Sequence, residues 1–336
     1  MTDNFFKCSL FNEKSLDVSR FSFMQEELLF SRFLENKKAS YQKIDVEYKV
    51  TTELSDLNSS KIPLILPIRG MEELLVYTLS NLIENEAHKY CNIVIVDDRT
   101  PVPLTNIIDK FKDVELSYIR VDNEKGFNYS SLANIAAYVM SKEGFNEVIF
   151  WNSDMWLTNK ATLPELIQLH RNNGCTLSGT KLVYPTTDWQ TGEKLRDDHQ
   201  VQFGGSTFVL QPTTGRFLPI HFKRGTAIDH FTVNVDTFSF FNTGAYCMMD
   251  LDWFIENGGF NPSLSKVFND VDICLRVAEQ DKIIMYFGKN RFLIHGESLN
   301  LDNGTEPKFD QQFTSDSVLF NSIWDFNRIA KVIYGT

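Results

Sequence analysis

The sequence contains no apolar run of about 18 residues, which is the length that a membrane-spanning helix needs. Its first residues also lack the apolar core of a secretory signal peptide. The five cysteines are scattered without CxxC spacing, which argues against both a zinc site and a disulfide framework. Together these absences predict a cytoplasmic protein with reduced thiols and no transmembrane segment, for which any membrane contact would be peripheral.

A basic excess is missing as well, since 44 acidic residues against 33 lysines and arginines give the chain a net charge of −11. Nucleic-acid binding needs a basic face, so this balance argues against nucleic acid as a partner. The motifs GxGxxG after the first predicted strand and GxxxxGK[ST] are also absent, which excludes the usual dinucleotide-binding fingerprint and a P-loop. A phosphate-bearing ligand stays compatible with the charge, because a metal or a local basic group can serve it.

What the sequence does contain, between residues 61 and 157, is a regular alternation of strand and helix patterns. Strands are predicted at 62–67, 92–96, 116–121 and 148–151, and helices at 71–84, 104–111 and 131–140. This alternation is typical of βαβ units, in which helices cover both faces of a parallel sheet. Residues 61–157 therefore predict the nucleotide-binding half of an α/β domain. Residues 1–60 are interpreted as an N-terminal extension, with a helical pattern at 21–34.

Polar residues stand directly after three of these strands. They are Arg69 after the first strand, Asp97 and Asp98 after the second, and Asp154 after the fourth. The carboxyl ends of parallel strands border the crevice in which ligands bind. A carboxylate there can accept hydrogen bonds from a base or ribose, and Asp154 can hold Mg²⁺ or Mn²⁺. Each aspartate could instead form a turn or cap a helix, but their clustering favours a ligand site.

The second half of the domain, residues 158–336, has a different character. Helices are predicted at 163–172, at 251–257 and from 271 onward, and strands at 175–184, 201–210, 233–249, 282–287 and 291–294. Residues 211–229 are polar without periodicity, so they predict a long loop of the kind that carries function. Asp270 and Asp272 lie on opposite flanks of their helix at about 100° per residue, so they cannot both point at one reacting atom.

Several sequence pieces, taken in order, resemble the inverting glycosyltransferases of family 2, which have the GT-A fold. The pieces are Ile65–Arg69, Val94–Asp98, Gly126 with Asn134, Asn152–Asp154, Gly179–Pro185, Gly258–Phe260, Phe268–Arg276, and His295 with Glu297 and Ser298. The resemblance covers about four-fifths of the chain, from Ile62 to about Trp324. The block from Phe268 to Arg276, followed by His295, is its most specific part.

The resemblance implies a mostly parallel sheet flanked by helices, with a smaller mixed or antiparallel half on the acceptor side. It implies a nucleotide-sugar donor, expected to be a UDP-sugar, and a glycan, lipid-linked or surface-polysaccharide precursor as acceptor. The implied donor-binding residues are Pro67, Ile68, Arg69, Asp97, Asp98, Gly126, Asn134, Asn152 and Ser153. Mn²⁺ or Mg²⁺ would bind to Asp154 and His295. Asp270 would be the general base that deprotonates the acceptor hydroxyl.

Three functions stay open at the level of sequence. The first is a metal-dependent inverting transferase that adds one sugar, since the Gln-x-x-Arg-Trp motif of processive synthases is absent. The second is a nucleotidyltransferase, for which Arg69-Gly70 is a poor version of the expected glycine-rich basic loop. The third is a catalytically silent sugar-binding or protein-binding relative, which is consistent with Asn152 at a position where the family usually has aspartate. From the residues alone, Asp270 could also be only a helix cap and His295 a core histidine.

Overall fold

The computed structural model describes residues 19–22, 47–122, 127–211, 216–297 and 309–334. Its described strands form a ten-stranded mixed sheet, a four-stranded sheet and a two-stranded ribbon. In chain order the strands are β1 (Ser19–Ser22), β2 (Glu47–Glu53), β3 (Ile62–Ile68), β4 (Cys91–Asp98), β5 (Leu116–Asp122), β6 (Glu147–Trp151), β7 (Met155–Trp156), β8 (Leu177–Thr180), β9 (Leu182–Val183), β10 (Val201–Phe203), β11 (Ser206–Gln211), β12 (Arg216–His221), β13 (Asp236–Phe238), β14 (Tyr246–Asp250), β15 (Ile284–Phe287) and β16 (Leu293–His295). The large sheet has the order β1-β2-β5-β4-β3-β6-β14-β8-β15-β13.

The centre of the large sheet is parallel, as the alternating pattern predicts. Strand β3 pairs in parallel with both β4 and β6, and β4 pairs in parallel with β5. Every residue of β3 and β4 is buried, which is expected when both faces of a sheet are covered. The carboxyl ends of β3, β4 and β6 therefore lie at one edge, and they bring Pro67, Asp98 and the residues after Trp151 to that edge.

Helices cover this sheet at nearly the predicted positions. They are α1 (Glu72–Glu84), α2 (Thr105–Ile108), α3 (Tyr129–Lys142), α4 (Thr162–Asn172), α5 (Leu251–Glu256), α6 (Asn269–Ala278), α7 (Phe309–Ile323) and α8 (Phe326–Tyr334). The side chain of Asn128 caps the start of α3, because it accepts a hydrogen bond from the backbone amide of Ser131 at 2.9 Å. The helix therefore begins at Tyr129, two residues before the predicted start at residue 131. Across the residues that the structure describes, none of the helices is both long and apolar enough for a bilayer crossing.

Outside the parallel centre, the second half is built from short antiparallel pieces. Strand β14 lies antiparallel between β6 and β8, and the small sheet has the order β10-β9-β16-β7. The segment predicted as one strand at 175–184 is in fact β8 and β9, which belong to different sheets. The chain changes sheets at Lys181, a buried residue whose ammonium donates to the carbonyl of Ile228 at 2.6 Å. Burial lowers the pKa of Lys181 to about 8.

Two further predictions from the sequence are wrong in part, one for the loop at 211–229 and one for the helix at 21–34. Residues 216–221 belong to β12, which pairs with β11 from Gln211↔Arg216 to Ser206↔His221, and so they are not part of a loop. Pro219 argues against a strand when only the sequence is read. A two-stranded ribbon tolerates proline, because each of its strands has one edge that makes no hydrogen bonds to a neighbouring strand. At the N-terminus, residues 21 and 22 lie in β1 instead of a helix, and residues 23–34 of that predicted helix lie outside the described residues.

A buried ion pair anchors α6, the helix that begins at the predicted base. Arg276 is fully buried, and its guanidinium donates to Asp272 at 3.0 Å and to the carbonyl of Asn257 at 2.8 Å. The indole of Trp324 donates to the other carboxylate oxygen of Asp272 at 2.8 Å. The two aspartates of α6 diverge as helix geometry predicts, because Asp272 enters this core network while Asp270 faces elsewhere. Since a buried charge is tolerated only when it is paired, the network holds α6 in one position.

Replacement of Arg276 by methionine is expected to lower the free energy of unfolding by about 3–5 kcal/mol, because Asp272 would keep its charge in the core without its partner. Chemical denaturation followed by circular dichroism measures the change. The matched control is Arg171→Met, which breaks the exposed pair with Glu147 and should cost less than about 1 kcal/mol. Equal losses in the two variants would contradict the anchoring role of Arg276.

Candidate active site

A cavity of about 620 Å³ opens at the carboxyl edge of the parallel strands. The predicted site residues that line it come from four distant parts of the sequence, and they are Pro67, Asn152, Ser153, Asp154, Asp270 and His295. Pro67 comes from the end of β3 and Asp154 from the turn after β6. Asp270 comes from the first turn of α6, and His295 from the end of β16. The structure thus brings six of the predicted site residues to one cavity.

Asp154 and His295 meet because β7 and β16 are neighbours in the small sheet. The register pairs Met155 with His295, and the Gly296 amide donates to the carbonyl of Asp154 at 2.8 Å. This pairing brings the Nε2 atom of His295 to 3.4 Å from Oδ1 of Asp154. Both side chains are nearly buried, so they face each other at the base of the cavity and not on its outer surface.

Gln202 determines which nitrogen of His295 carries the proton. The Nε2 amide group of Gln202 donates to the His295 carbonyl at 3.3 Å, which leaves its Oε1 atom facing Nδ1 of the ring at 2.5 Å. An amide oxygen can only accept, so Nδ1 carries a hydrogen, and whenever the ring is neutral its lone pair is on Nε2. This Nε2 atom is buried and has no hydrogen-bond partner among the described residues.

A lone pair of His295 beside a carboxylate oxygen of Asp154 is an arrangement that a cation would stabilise. Imidazole nitrogen and carboxylate oxygen both suit Mn²⁺, and Mg²⁺ is also bound through one or two carboxylates. The described residues contain no cluster of three or more histidine, cysteine, aspartate or glutamate side chains. Two protein ligands would leave the other coordination positions to substrate oxygens and water. The residues present therefore fit a divalent ion of this class.

Asp270 lines the same cavity as Asp154 and His295. Its Oδ2 atom accepts a hydrogen bond from the Gly244 amide at 2.9 Å, and Oδ1 accepts one from the Val271 amide at 2.8 Å. Burial raises the pKa of the carboxyl group, and the two backbone donors only partly oppose that rise. A carboxylate with a raised pKa in a cavity is a candidate general base.

Contacts with helix α7 hold the segment before Asp270 in place. The carboxylate of Asp316 accepts hydrogen bonds from the amides of Lys266 and Val267 at 3.2 and 3.1 Å. Phe268 stacks on Phe320 with ring centroids 5.0 Å apart, and its backbone has a left-handed φ of 64°. These contacts hold the residue immediately before α6, so they set where the first turn of that helix begins.

Four further cavity or neighbouring residues were missed by sequence reasoning. Arg224 donates to the hydroxyl of Tyr184 and to Glu297, and it is one of two basic residues that line the cavity. His221, at the end of β12, also lines the cavity, and burial lowers its pKa while the nearby charge of Asp270 opposes that change. Gln202, His221 and Arg224 occur in short strands or turns, where single polar residues carry no periodic signal. Tyr184 was seen only as part of a matching piece.

The predicted residues at the end of β4 lie outside the cavity lining. Asp97 accepts hydrogen bonds from the hydroxyl of Tyr118 at 2.5 Å, from Arg120 at 2.7 Å and from the Thr100 amide at 2.8 Å. This set of donors satisfies a fully buried carboxylate, so Asp97 has a structural role in the turn after β4. The carboxylate of Asp98 lies 3.4 Å from the guanidinium of Arg69. Neither Arg69 nor the buried Ile68 lines the cavity.

The two remaining donor-binding predictions have different outcomes. Asn134 lies away from the cavity, where its amide group donates to the Phe260 carbonyl and accepts from the Phe260 amide, both at 2.8 Å. Both of its polar atoms thus hold the turn at Gly259, whose φ of 69° is left-handed. Gly126 lies outside the described residues, as does Ser298.

Comparison with known proteins bears on the fold. No protein-family model matches the chain, and no curated protein matches it either. Among solved structures, GalNAc-T7 with UDP, GalNAc and Mn²⁺ is similar over 71% of this chain, with a TM-score of 0.53 and 13% identity. The chain has the GT-A fold. The fold class expected from the sequence resemblance is therefore confirmed, although the aligned part spans only 44% of GalNAc-T7.

Two other solved structures are similar at lower scores. A 1–349 fragment of S. aureus TarS aligns with 81% of this chain and 69% of its own, with a TM-score of 0.49 and 13% identity. The mannosyltransferase PcManGT from Pyrobaculum calidifontis, in complex with GDP-Man and Mn²⁺, aligns with 93% of this chain and 83% of its own. Its TM-score is 0.47 and its identity 10%.

The raised pKa of Asp270 predicts a specific pH dependence of stability. The native state holds the proton of this carboxyl group to higher pH than the unfolded state, so its contribution is full near the ordinary value of 3.8 and is lost as pH rises through the native pKa. Asp270→Asn cannot titrate there. The variant should therefore gain free energy of unfolding relative to wild type as pH rises above that ordinary value toward the native pKa, measured by urea denaturation.

The control for this measurement is Asp252→Asn, which removes an exposed carboxylate from the first turn of α5. An equal gain with pH in the control would show that the effect does not arise from the cavity. A relative loss of stability in Asp270→Asn as pH rises would mean that the pKa of Asp270 is lowered instead of raised.

Proposed function

We propose that the chain is a metal-dependent inverting glycosyltransferase that moves one sugar from a nucleotide-sugar donor to a hydroxyl acceptor. One observation carries the proposal: Asp154 and His295 form a two-ligand pair in a cavity that Asp270, a carboxylate with a raised pKa, also lines. The GT-A fold supports it, and the similar structure of GalNAc-T7 was solved with UDP, GalNAc and Mn²⁺. A UDP-sugar is the expected donor, and a glycan or lipid-linked molecule the expected acceptor.

Asp154 and His295 would hold Mn²⁺ or Mg²⁺, with Gln202 fixing the histidine ring from behind. Such an ion, when bound, stabilises the negative charge that develops on a departing diphosphate. A metal-binding histidine is kept in the correct tautomer when its other ring nitrogen donates a hydrogen bond to a neighbouring acceptor. For His295 this acceptor is the amide oxygen of Gln202. The chain's own part is to present one oxygen and one nitrogen at the base of the cavity and to leave the remaining positions open.

Asp270 would accept the proton of the acceptor hydroxyl. As the hydroxyl oxygen bonds to the anomeric carbon, the bond from that carbon to the diphosphate oxygen breaks, and the diphosphate leaves with the electron pair. Attack from the face opposite the leaving group inverts the anomeric centre. Backbone donors from Gly244 and Val271 orient the carboxylate, while burial raises its pKa toward the range in which a base can take a proton and later release it.

Arg224 is the cavity residue that best suits a phosphate group. Its guanidinium is paired with Glu297, which also lines the cavity, and both side chains are partly exposed to solvent. A diphosphate carries more negative charge than one carboxylate, and guanidinium binds phosphate oxygens well. Arg224 would therefore exchange its contact with Glu297 for one with the donor diphosphate.

The test is the release of nucleoside diphosphate from a panel of UDP-, GDP- and dTDP-sugars, with and without Mn²⁺. Wild-type protein should release it from at least one donor only when the metal is present. Asp270→Asn should keep donor affinity within about twofold while turnover falls by about 10² to 10⁴-fold, because only proton transfer is removed.

Asp252→Asn serves again as the matched control and should turn over like wild type. Full activity of Asp270→Asn would remove Asp270 from the mechanism. Binding of nucleotide-sugars without any turnover would instead point to a silent relative. Release of pyrophosphate from a nucleoside triphosphate and a sugar phosphate would point to a nucleotidyltransferase.

Gln202→Leu should weaken Mn²⁺ binding by about 10 to 100-fold, because the ring of His295 would lose the partner that fixes its tautomer and orientation. Isothermal titration with Mn²⁺ and a nucleoside diphosphate measures the change. Gln200→Leu, at an exposed position two residues earlier, is the control and should bind like wild type. Unchanged Mn²⁺ affinity in Gln202→Leu would argue against His295 as a ligand.

A further inference from the structure

A second cavity of about 440 Å³ lies on the outer face of α1, where the turn at residues 188–190 covers it. It shares no lining residue with the first cavity. Two aromatic rings, two carboxylates, two amides, a serine hydroxyl and a valine line its wall. They belong to Tyr77, Trp189, Glu73, Glu84, Asn81, Gln190, Ser80 and Val76. No function considered so far uses this cavity.

The aromatic part consists of Tyr77 and Trp189. Their ring centroids lie 6.0 Å apart at an angle of 55°, and Tyr77 is 42% exposed although it is large and partly apolar. Aromatic rings with one solvent-exposed face are enriched at binding sites, because a ligand that covers them removes apolar surface from water. The two rings therefore form an apolar platform that no other described part of the chain covers completely.

The turn that presents Trp189 is held rigidly by Asp188. Its Oδ1 atom accepts hydrogen bonds from the amides of Gln190 and Thr191 at 2.9 and 2.8 Å. The Gly192 amide donates to the backbone carbonyl of Asp188 at 2.9 Å, so the turn closes on itself. A ring that is already fixed loses little freedom on binding, which favours affinity.

The polar rim selects the kind of ligand. Glu73 and Glu84 contribute carboxylates, and the amide of Gln190 lies 3.4 Å from Glu73. None of the residues that line this cavity is basic. Anionic ligands such as nucleotides would be repelled, whereas a neutral molecule rich in hydroxyl groups could donate to the carboxylates. The rim and the platform together suit a molecule with one apolar face and a hydroxylated edge.

We propose that this second cavity binds a neutral sugar ring of a glycan. The C–H face of the ring would lie against Trp189 and Tyr77, since aromatic faces carry partial negative charge. Ring hydroxyls would donate to Glu73 and Glu84. The assignment of this glycan as an acceptor rests on the proposed function, whereas its binding does not.

The position of α1 explains how such a site serves a transferase. The hydroxyl of Thr78 donates to the Ser153 carbonyl at 2.5 Å, and the Trp156 indole donates to the Thr78 hydroxyl at 3.1 Å. Asn81 makes two further hydrogen bonds to the backbone of Leu157. The helix that carries Tyr77 is thus bonded to the segment that carries Asp154. A glycan on the outer face of α1 would be held behind the metal-binding side of the first cavity.

Saturation-transfer NMR tests the proposal without donor or metal. The probes are neutral disaccharides to tetrasaccharides of glucose, mannose and N-acetylglucosamine, together with an anionic glucuronic-acid oligosaccharide. At least one neutral series should bind, and its affinity should fall by about tenfold or more in Trp189→Ala. Trp189→Phe should restore most of the binding, which shows that the turn still folds.

Phe238→Ala is the matched control, because Phe238 is 74% exposed and lines neither cavity. Its glycan affinity should equal that of wild type. The proposal is overturned if no neutral probe binds, if Trp189→Ala binds as wild type does, or if the anionic probe binds best. Trp189-dependent self-association in sedimentation, without glycan binding, would assign the face to a second copy of the chain.

The experiments distinguish a failure of the glycan site from a failure of the proposed transferase function. Asp270→Asn should bind the neutral glycan as wild type does, because Asp270 lines the other cavity. Glycan binding with no release of nucleoside diphosphate from any donor would keep the second site and reject the transferase. Donor turnover without glycan binding would do the reverse.

Discussion

The antiparallel pairing of β7 with β16 is the contact on which the first cavity depends. Strand β7 follows Asp154 directly and β16 ends at His295, so two paired residues bring together groups that are far apart in the sequence. A slip of one residue would turn the histidine to the other face of its strand, away from the carboxylate. The bond from the Gly296 amide to Asp154 and the two bonds from Gln202 oppose such a slip. Register here is therefore a condition for the chemistry.

The charges of the first cavity set a second constraint. Asp154, Asp270 and Glu297 contribute carboxylates, while Arg224 and Lys266 are the basic residues in its lining. An anionic diphosphate entering this surplus of acid would be repelled unless more positive charge came with it. A divalent ion beside Asp154 supplies that charge where the leaving group would lie. The composition of the lining is thus consistent with the proposed donor that binds together with a metal.

The two halves of the chain differ in how far sequence predicts structure. Strands β3 to β6 were predictable because buried parallel strands are continuous apolar runs separated by helices with a regular period. In the second half, strands of two or three residues such as β9 carry no period, and the change of sheet at Lys181 depends on contacts with distant loops. Asp154 was reached from its place after a buried strand, whereas the roles of Asp270 and His295 were reached only through resemblance to a family. The donor-binding role of Asp97 stays a prediction, and its carboxylate accepts hydrogen bonds from Tyr118 and Arg120.

Helix α6 shows how the fold can hold a carboxylate where burial disfavours its charge. Asp272 forms the buried pair with Arg276 and also accepts from Trp324, so one acidic residue of the first turn ties the helix to the core. Asp270, two residues earlier, faces the cavity with a raised pKa and only backbone donors beside it. The unfavourable placement of Asp270 persists because the rest of the helix is held by stronger contacts. A single helix thereby carries two carboxylates in different settings, since Asp272 is paired with Arg276 and Asp270 lines the cavity where the proposed function needs a base.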